Sequence, residues 1–457
     1  MIDILAVMSD FSEHTGRNLS GIQKFMKIAF YTLGCKANQF DTQAMETLAL
    51  SRGHSIVPFE AEADAYVINT CTVTAESDRK SRQIIRAARR SAPQACVAVC
   101  GCFSQVSPGA ALALGADLVC GTRERAAVIE QLESACAQKQ PLCEVSPYQP
   151  GLAFEPLPAG GYAGRTRALL KIEEGCDNYC SYCIIPYSRG HIRSLPLSDA
   201  AIAARELAAE GYREIVLTGI EISSYGHDFK DGTGLIHLLE TLCGAVPEMR
   251  IHLGSLEPRT ITRDFCIRSA ALPGVLPHFH LSLQSGCDAT LARMRRRYDT
   301  ARFLESVNLL REFFPNCGIT TDLITGFPGE TEDEFAHTLA FLEICRFSQM
   351  HVFPYSSRPG TPAAKMPQLS RAIKQERAHK AAEAGARMHR DFLHAQIGRT
   401  LSVLFEEPDG DTAQGHSENY LPVCITNAPA LRAQVCPVHI DTLRDGKLYG
   451  HLTDRVL

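Results

Sequence analysis

No stretch of about 18 apolar residues occurs anywhere in the chain, so no membrane span is expected. Charge of one sign is equally scarce. Forty-six Lys and Arg against 51 Asp and Glu leave a net charge of -5 over 457 residues, so any nucleic-acid surface has to be local. The short apolar stretch in MIDILAVMSDFSEH has no Lys or Arg before it and carries Asp3, which argues against a secretory signal and makes the cytoplasm the expected location. A second start is plausible at Met26, with residues 1 to 25 as a loosely ordered extension. In that reducing compartment eighteen cysteines do not form a disulfide framework, and a clustered subset points instead to metal or cluster ligation. Cysteines such as Cys243, Cys266 and Cys345 stand singly among apolar residues, where the thiol acts as a small hydrophobe.

Hydrophobic residues make up 45% of the chain, enough for several cored domains. Over 26–145, strand-like runs (KIAFYTLG, AYVINTC, CVAVCGC, DLVCG) alternate with helices predicted over Asp41 to Arg52 and Glu76 to Arg90, the pattern of an open parallel α/β sheet. Cys35, Cys71 and Cys102 each fall just after a strand, at the sheet edge where ligands collect. The Pro- and Gly-rich stretch 146–164 reads as a linker. Six further strands (RALLKIEEGC, EIVLTGIE, RIHLGSLEP, HFHLSLQSG, GITTDLITGFPG, QMHVFPYS) alternate with helices over 165–396 and suggest a full or partial α/β barrel. The tail, 397–457, reads as a small antiparallel β-barrel.

The densest chemistry lies in GCDNYCSYC. Cys176, Cys180 and Cys183 have the spacing of soft thiolate ligands, and a 4Fe-4S cube normally takes four, so three leave one iron open. A zinc site would need a fourth ligand, and His191, eight residues past Cys183, is not at a usual zinc spacing.

This spacing is that of the radical S-adenosylmethionine (radical SAM) superfamily. The longer string GCDNYCSYCIIPYSRGHIRS, together with TLGCKANQFDTQAM, NTCTVT, SLEP, LSLQSG, TDLITGFPGET and YSSRPGTPA, resembles the methylthiotransferases from Lys27 to the C-terminus. The resemblance implies a central partial (β/α)6 radical SAM barrel, a C-terminal TRAM domain that binds RNA, and two 4Fe-4S clusters. One cluster sits on Cys176, Cys180 and Cys183, with S-adenosylmethionine on the open iron; the auxiliary one sits on Cys35, Cys71 and Cys102. Cys100 stands two residues before the matching position, and Cys102 is preferred because it occupies the GCxxQ pattern. The family's reaction removes a hydrogen by a 5'-deoxyadenosyl radical, inserts sulfur from the auxiliary cluster and methylates it from a second S-adenosylmethionine. Within the family, TLGCKANQ is most similar to the branch acting on N6-threonylcarbamoyladenosine in tRNA, and Lys36 and Gln39 carry much of that distinction.

Further residues are expected at the cofactor. Tyr182 is placed to pack near the adenine, Gly219 to Glu221 resembles the family's backbone contact to the cofactor's amine, and Gly326 opens a turn that lets backbone approach adenosine. Ser255, Glu257 and Gln284 end successive barrel strands, where buried polar groups need a ligand or one another. Each of these residues has a structural reading as well. Arg79, Arg82 and Arg86 recur at helical spacing and, with Arg295 and Arg296, are candidate contacts to RNA phosphates, although such stripes are commonly solvated faces. The expected partners are a tRNA substrate and an electron-donor protein, with the chain a monomer. Alternatives that share every cluster ligand are methylthiolation of isopentenyl-modified adenosine or of a ribosomal-protein aspartate. A non-enzymatic alternative is an RNA-binding iron-sulfur electron carrier.

Overall fold

The computed structural model describes residues 25–149, 151–160, 165–409, 411–426 and 431–453. The expected N-terminal extension therefore lies, apart from Phe25, outside the described residues.

The first sheet comprises β1 (Lys27–Thr32), β2 (Ser55–Val57), β3 (Ala65–Thr70), β4 (Cys96–Gly101), β5 (Leu118–Cys120) and β6 (Leu142–Glu144), in the order β2-β1-β3-β4-β5-β6. Every pairing is parallel. Both faces are covered, with one core around Ile28, Met45 and Leu132 and another around Ile68, Ile85 and Phe103. This explains why the central strands read as continuous apolar runs. The edge strands β2 and β6 went unread because three residues carry no periodicity. Helix α1 (Lys36–Ser51) begins immediately after Cys35, five residues earlier than expected, and α2 (Ala75–Ser91) opens on a Thr74/Ser77 capping box.

The six expected barrel strands are all present. They are β7 (Arg167–Lys171), β8 (Glu214–Thr218), a third strand split into β9 (Arg250–His252) and β10 (Ser255–Leu256), β11 (His278–Gln284), β12 (Gly318–Thr325) and β13 (Gln349–Pro354). They pair in parallel as β9-β8-β7 and β10-β11-β12-β13, and among the described residues β7 does not pair with β13, so the barrel is partial. The open side shows in β13. Met350 and Val352 pack on the barrel's outer core, while Gln349, His351 and Phe353 on the opposite face are exposed. The last segment closes a five-stranded barrel, β14 (Thr400–Asp409), β15 (Thr412–Ser417), β16 (Pro422–Thr426), β17 (Val435–Arg444) and β18 (Lys447–Leu452). It is not wholly antiparallel: β16 and β18 pair in parallel. An odd number of strands cannot alternate direction all the way round, so one pair must run parallel.

The stretch read as a linker is packed. Phe154 and Ala159 lie against the barrel core, and Glu155 accepts a hydrogen bond from the Ala126 amide at 3.0 Å. Arg358, from the YSSRPGTPA motif, donates to Thr72 at 2.6 Å and Asp78 at 2.8 Å, so this motif docks the first sheet domain onto the barrel. Among the described residues no helix is long and apolar enough to cross a membrane.

Candidate functional site: two thiol trios and a buried ion network

The carboxyl ends of β1, β3 and β4 deliver Cys35, Cys71 and Cys102 to one place. Cys35 stands at the N-cap position of α1, where burial pushes its thiol up and the Arg189 guanidinium works against that push. Cys71 accepts from the Val73 amide and the Ser77 hydroxyl, and each of these two thiols feels the charge of Cys102. Cys102 opens the short helix α3 (Cys102–Val106), and its sulfur lies 3.4 Å from Nε of Arg189. Gly101 is required here: its φ is 103°, and a Cβ would come within 2.3 Å of the Thr70 carbonyl.

Cys100 has another role. It points from β4 into the apolar core with Ile28, Met45 and Leu118, where burial pushes its thiol up. Cys102→Ala is therefore expected to remove about four irons per chain. Cys100→Ala is expected to keep them and to cost about 1 kcal/mol of stability. Iron assay and chemical denaturation separate the two.

Cys176, Cys180 and Cys183 lie on the loop after β7 and before helix α4 (Ile185–Arg189). Gly175, at φ 91°, lets this loop pass under His191, whose carbonyl a Cβ would meet at 2.0 Å. The Cys176 thiol accepts from the Asn178 amide and that of Cys183 from the Ile185 amide, while Arg296 donates to the Cys180 sulfur at 3.2 Å. His191 is exposed, and its Nδ1 bonds Asp177 at 2.6 Å. Helices α3 and α4 pack together and bring the trios face to face, so that Cys183 feels the charge of Cys102.

Arg189 and Arg296 thus each point an N–H donor at one sulfur, while burial pushes the thiols of Cys35, Cys71, Cys176 and Cys183 up. Among the described residues no three His, Cys, Asp or Glu side chains close on a single point as one metal ion would require. Thiolates that each bind a different iron of a cube stand further apart than ligands of one ion, so both trios fit a cluster better than zinc.

Around the auxiliary trio lies a network that residue patterns did not reveal. Arg189, fully buried, donates from one guanidinium nitrogen to Asp41 at 3.1 Å and to Glu174 at 2.9 Å, and from another to the Asn38 side chain. Lys171 pairs with Asp41 and, at 3.1 Å, with Glu174. Burial pushes both carboxyls up, but the surrounding cations outweigh it and hold them below the usual carboxylate range. The available signal was charge in unexpected places: Lys, Glu and Glu at the end of a barrel strand, and an Arg directly after the thiol loop.

The other expected cofactor residues are scattered around this rim. Tyr182 is half-buried and meets Phe327 edge-on, with ring centroids 6.4 Å apart. Gly219 packs against Glu173, whose carboxylate accepts the Ile220 and Glu221 amides at 2.9 and 2.7 Å, so both amides of that turn are already engaged. Burial pushes Glu221 up to about 7. Ser255 is exposed, and Glu257 is buried against Arg259 at 2.7 Å. Gln284 sits at φ 64° in an irregular strand end, strain of the kind found at ligand sites. The Gly326 amide donates to Glu330 at 2.7 Å, and a Cβ would meet Lys374 at 2.6 Å, so this glycine serves packing against helix α5 (Arg371–His394).

Of the arginines, Arg79, Arg86 and Arg295 are exposed, whereas Arg82 pairs with Asp78 and lies over the Phe103 ring. Arg296 departs from the expected RNA contact. Its guanidinium turns inward, donating to Tyr298 at 3.0 Å and to the Cys180 sulfur at 3.2 Å.

A partial six-stranded barrel with an open three-thiol loop at its rim is the architecture of a radical SAM protein, and residues 170–342 match the family model for the Radical SAM superfamily. Residues 27–121 match a second model, described as "Uncharacterized protein family UPF0004". The Threonylcarbamoyladenosine tRNA methylthiotransferase MtaB of Bacillus subtilis (strain 168) is 38% identical over 90% of this chain and 93% of its own. Its namesake from Aquifex aeolicus (strain VF5) is 37% identical over 87% and 96%. A tRNA-2-methylthio-N(6)-dimethylallyladenosine synthase of Acidothermus cellulolyticus (strain ATCC 43068 / DSM 8971 / 11B) is 34% identical over 83% and 77%. Among solved structures, the radical S-adenosylmethionine methyltransferase TsrM from Kitasatospora setae shares the fold, with a TM-score of 0.56 and 15% identity over 75% of this chain and 77% of that one. The chain belongs to the radical SAM tRNA methylthiotransferases, whose cofactors are S-adenosylmethionine and 4Fe-4S clusters.

Proposed function

We propose that the chain adds a methylthio group to C2 of N6-threonylcarbamoyladenosine at position 37 of tRNA, beside the anticodon. The observation that carries this reading is the pair of thiol trios set face to face by the α3–α4 contact, one on the barrel rim and one on the neighbouring sheet edge. Cys176, Cys180 and Cys183 would hold the cluster that binds S-adenosylmethionine; Cys35, Cys71 and Cys102 would hold the auxiliary cluster. When bound, these groups supply the carbon-centred radical, the sulfur and the methyl group.

The chain's own residues position and insulate. Arg296 and Arg189 each direct a guanidinium at one thiol, and the packed α3 and α4 fix the separation of the trios. Arg86 and Arg295 are exposed where they can meet RNA phosphates, as is Arg79, whose guanidinium is paired with Glu76 at 2.6 Å; such contacts give sequence-independent affinity. The target base has to leave its stack before C2 is reachable, and the open side of the barrel provides the entry. The chain acts as a monomer in the cytoplasm, reduced by a separate donor protein.

The names of the first relatives favour the threonylcarbamoyl branch, while the dimethylallyl relatives at similar identity keep the isopentenyl substrate as the second reading. Mass spectrometry of tRNA nucleosides from cells with and without the gene decides between them. Loss of the methylthio group from threonylcarbamoyladenosine alone is the expected result. Loss from the isopentenyl nucleoside, or unchanged tRNA, would overturn it.

A further inference from the structure

A cavity of about 740 Å³ is formed by all three parts of the chain, with Lys36, the residue after Cys35, in its wall. Lys36 and Gln39 reach it from the first turn of α1, Arg167 from the start of β7, and His416 and Tyr420 from the C-terminal barrel. The size suits a small-molecule group or one base with its substituent.

Its charges are mostly satisfied internally. Glu406 is shared between Arg167 and His416, the latter at 2.9 Å, and Tyr420 stacks on His416 with ring centroids 5.0 Å apart. Lys36 is different: it is exposed, and among the described residues no carboxylate lies within ion-pair distance of its ammonium. Lys36 lines the cavity together with Arg167, Leu169 and Val216 of the barrel strands. A cation lining a cavity without a counter-ion is a site for an anion.

Position narrows the anion. Lys36 directly follows Cys35, so whatever carbon is presented to the auxiliary trio lies within a side chain's reach of this ammonium. On an adenine, N1 is bonded to C2 and to C6, and C6 carries N6, so a substituent on N6 shares an edge with C2. Resting on the reaction proposed above, we propose that this cavity holds the acidic N6 substituent of the target adenosine, with Lys36 as counter-ion of its carboxylate and Gln39 as hydrogen-bond partner of its amide. An apolar isopentenyl substituent would leave the ammonium unpaired, so the same residue selects between substrate branches.

The full chain, carrying both clusters, can be tested with anticodon stem-loops bearing threonylcarbamoyladenosine at position 37, the methyl ester of its carboxylate, or unmodified adenosine. The wild type is expected to bind the free acid about tenfold more tightly than the ester, a comparison that needs no variant. Lys36→Met is expected to erase this preference while binding the ester as the wild type does, and Lys36→Arg to keep most of it. Iron content and the electron paramagnetic resonance signal of the auxiliary cluster are expected to be unchanged in both. Equal weakening toward all three stem-loops would make Lys36 a phosphate contact and overturn the proposal, as would a wild type that ignores the ester. A wild type that thiolates the threonylcarbamoyl stem-loop without distinguishing acid from ester loses only the subsite. One that thiolates an isopentenyl stem-loop instead loses the assigned reaction as well.

Discussion

Replacing Cys176 by Ala is expected to abolish reductive cleavage of S-adenosylmethionine, read as 5'-deoxyadenosine released by the chemically reduced protein. The iron content should fall from about eight to about four per chain, because each 4Fe-4S cube carries four irons and only the barrel trio is touched. Cys176 holds its loop by donating its amide to the Gly190 carbonyl at 2.9 Å, a bond that Ala keeps, so the loop survives while the ligand is lost. Only two thiols of the barrel trio, Cys180 and Cys183, are left to hold the cube. Retained deoxyadenosine formation would refute the role of the trio. An electron carrier, by contrast, has no need of this cleavage even in the wild type.

Arg189→Ala is expected to be the most destabilising single change in the rim, costing about 3–5 kcal/mol. The reason is what it leaves behind. Both carboxyls are buried: Glu174 would keep Lys171 as its ion-pair partner and Asp41 would keep Lys171 and, at 3.6 Å, Arg125, while Asn38 and Cys102 each lose a donor. Chemical denaturation of the metal-free full chain measures this loss, and Arg189→Lys should recover part of it by restoring charge without the fork. A pH dependence accompanies it. Both carboxyls are depressed in the folded state, so their stabilisation is fully present above the ordinary carboxylate range and is lost as pH falls through that range toward the folded-state values. The wild type should therefore lose stability on acidification more steeply than Arg189→Ala. An identical acid slope in the two proteins would show that the network does not hold the carboxyls down.

Much of this organisation was legible in residue order because it depends on local pattern. Continuous apolar runs such as AYVINT and CVAVCG become strands covered on both faces. The thiol loop was legible because its three ligands lie within eight positions, and the Cys35, Cys71 and Cys102 trio because each follows a strand. Arg296 was misread since a run of three arginines says nothing about which one turns inward. Its neighbours Arg295 and Arg297 are exposed, and the packing of Tyr298 decides the matter. The packed character of 151–160 was hidden for a similar reason: Pro and Gly report a turn-rich path, not what lies beneath it.

By itself the sequence determined the alternation that builds two parallel α/β layers and the clustering of three thiols in the loop after the first barrel strand. These follow from periodicity and spacing, which are properties of neighbours along the chain. Only the tertiary structure decided that Asp41, Lys171, Glu174 and Arg189 close one buried network, that the two trios face each other across α3 and α4, and that Lys36 looks into a cavity shared by three parts of the chain. Those relations join residues up to several hundred positions apart. The burial that makes an unpaired charge costly, and so informative, exists only once the parts have packed.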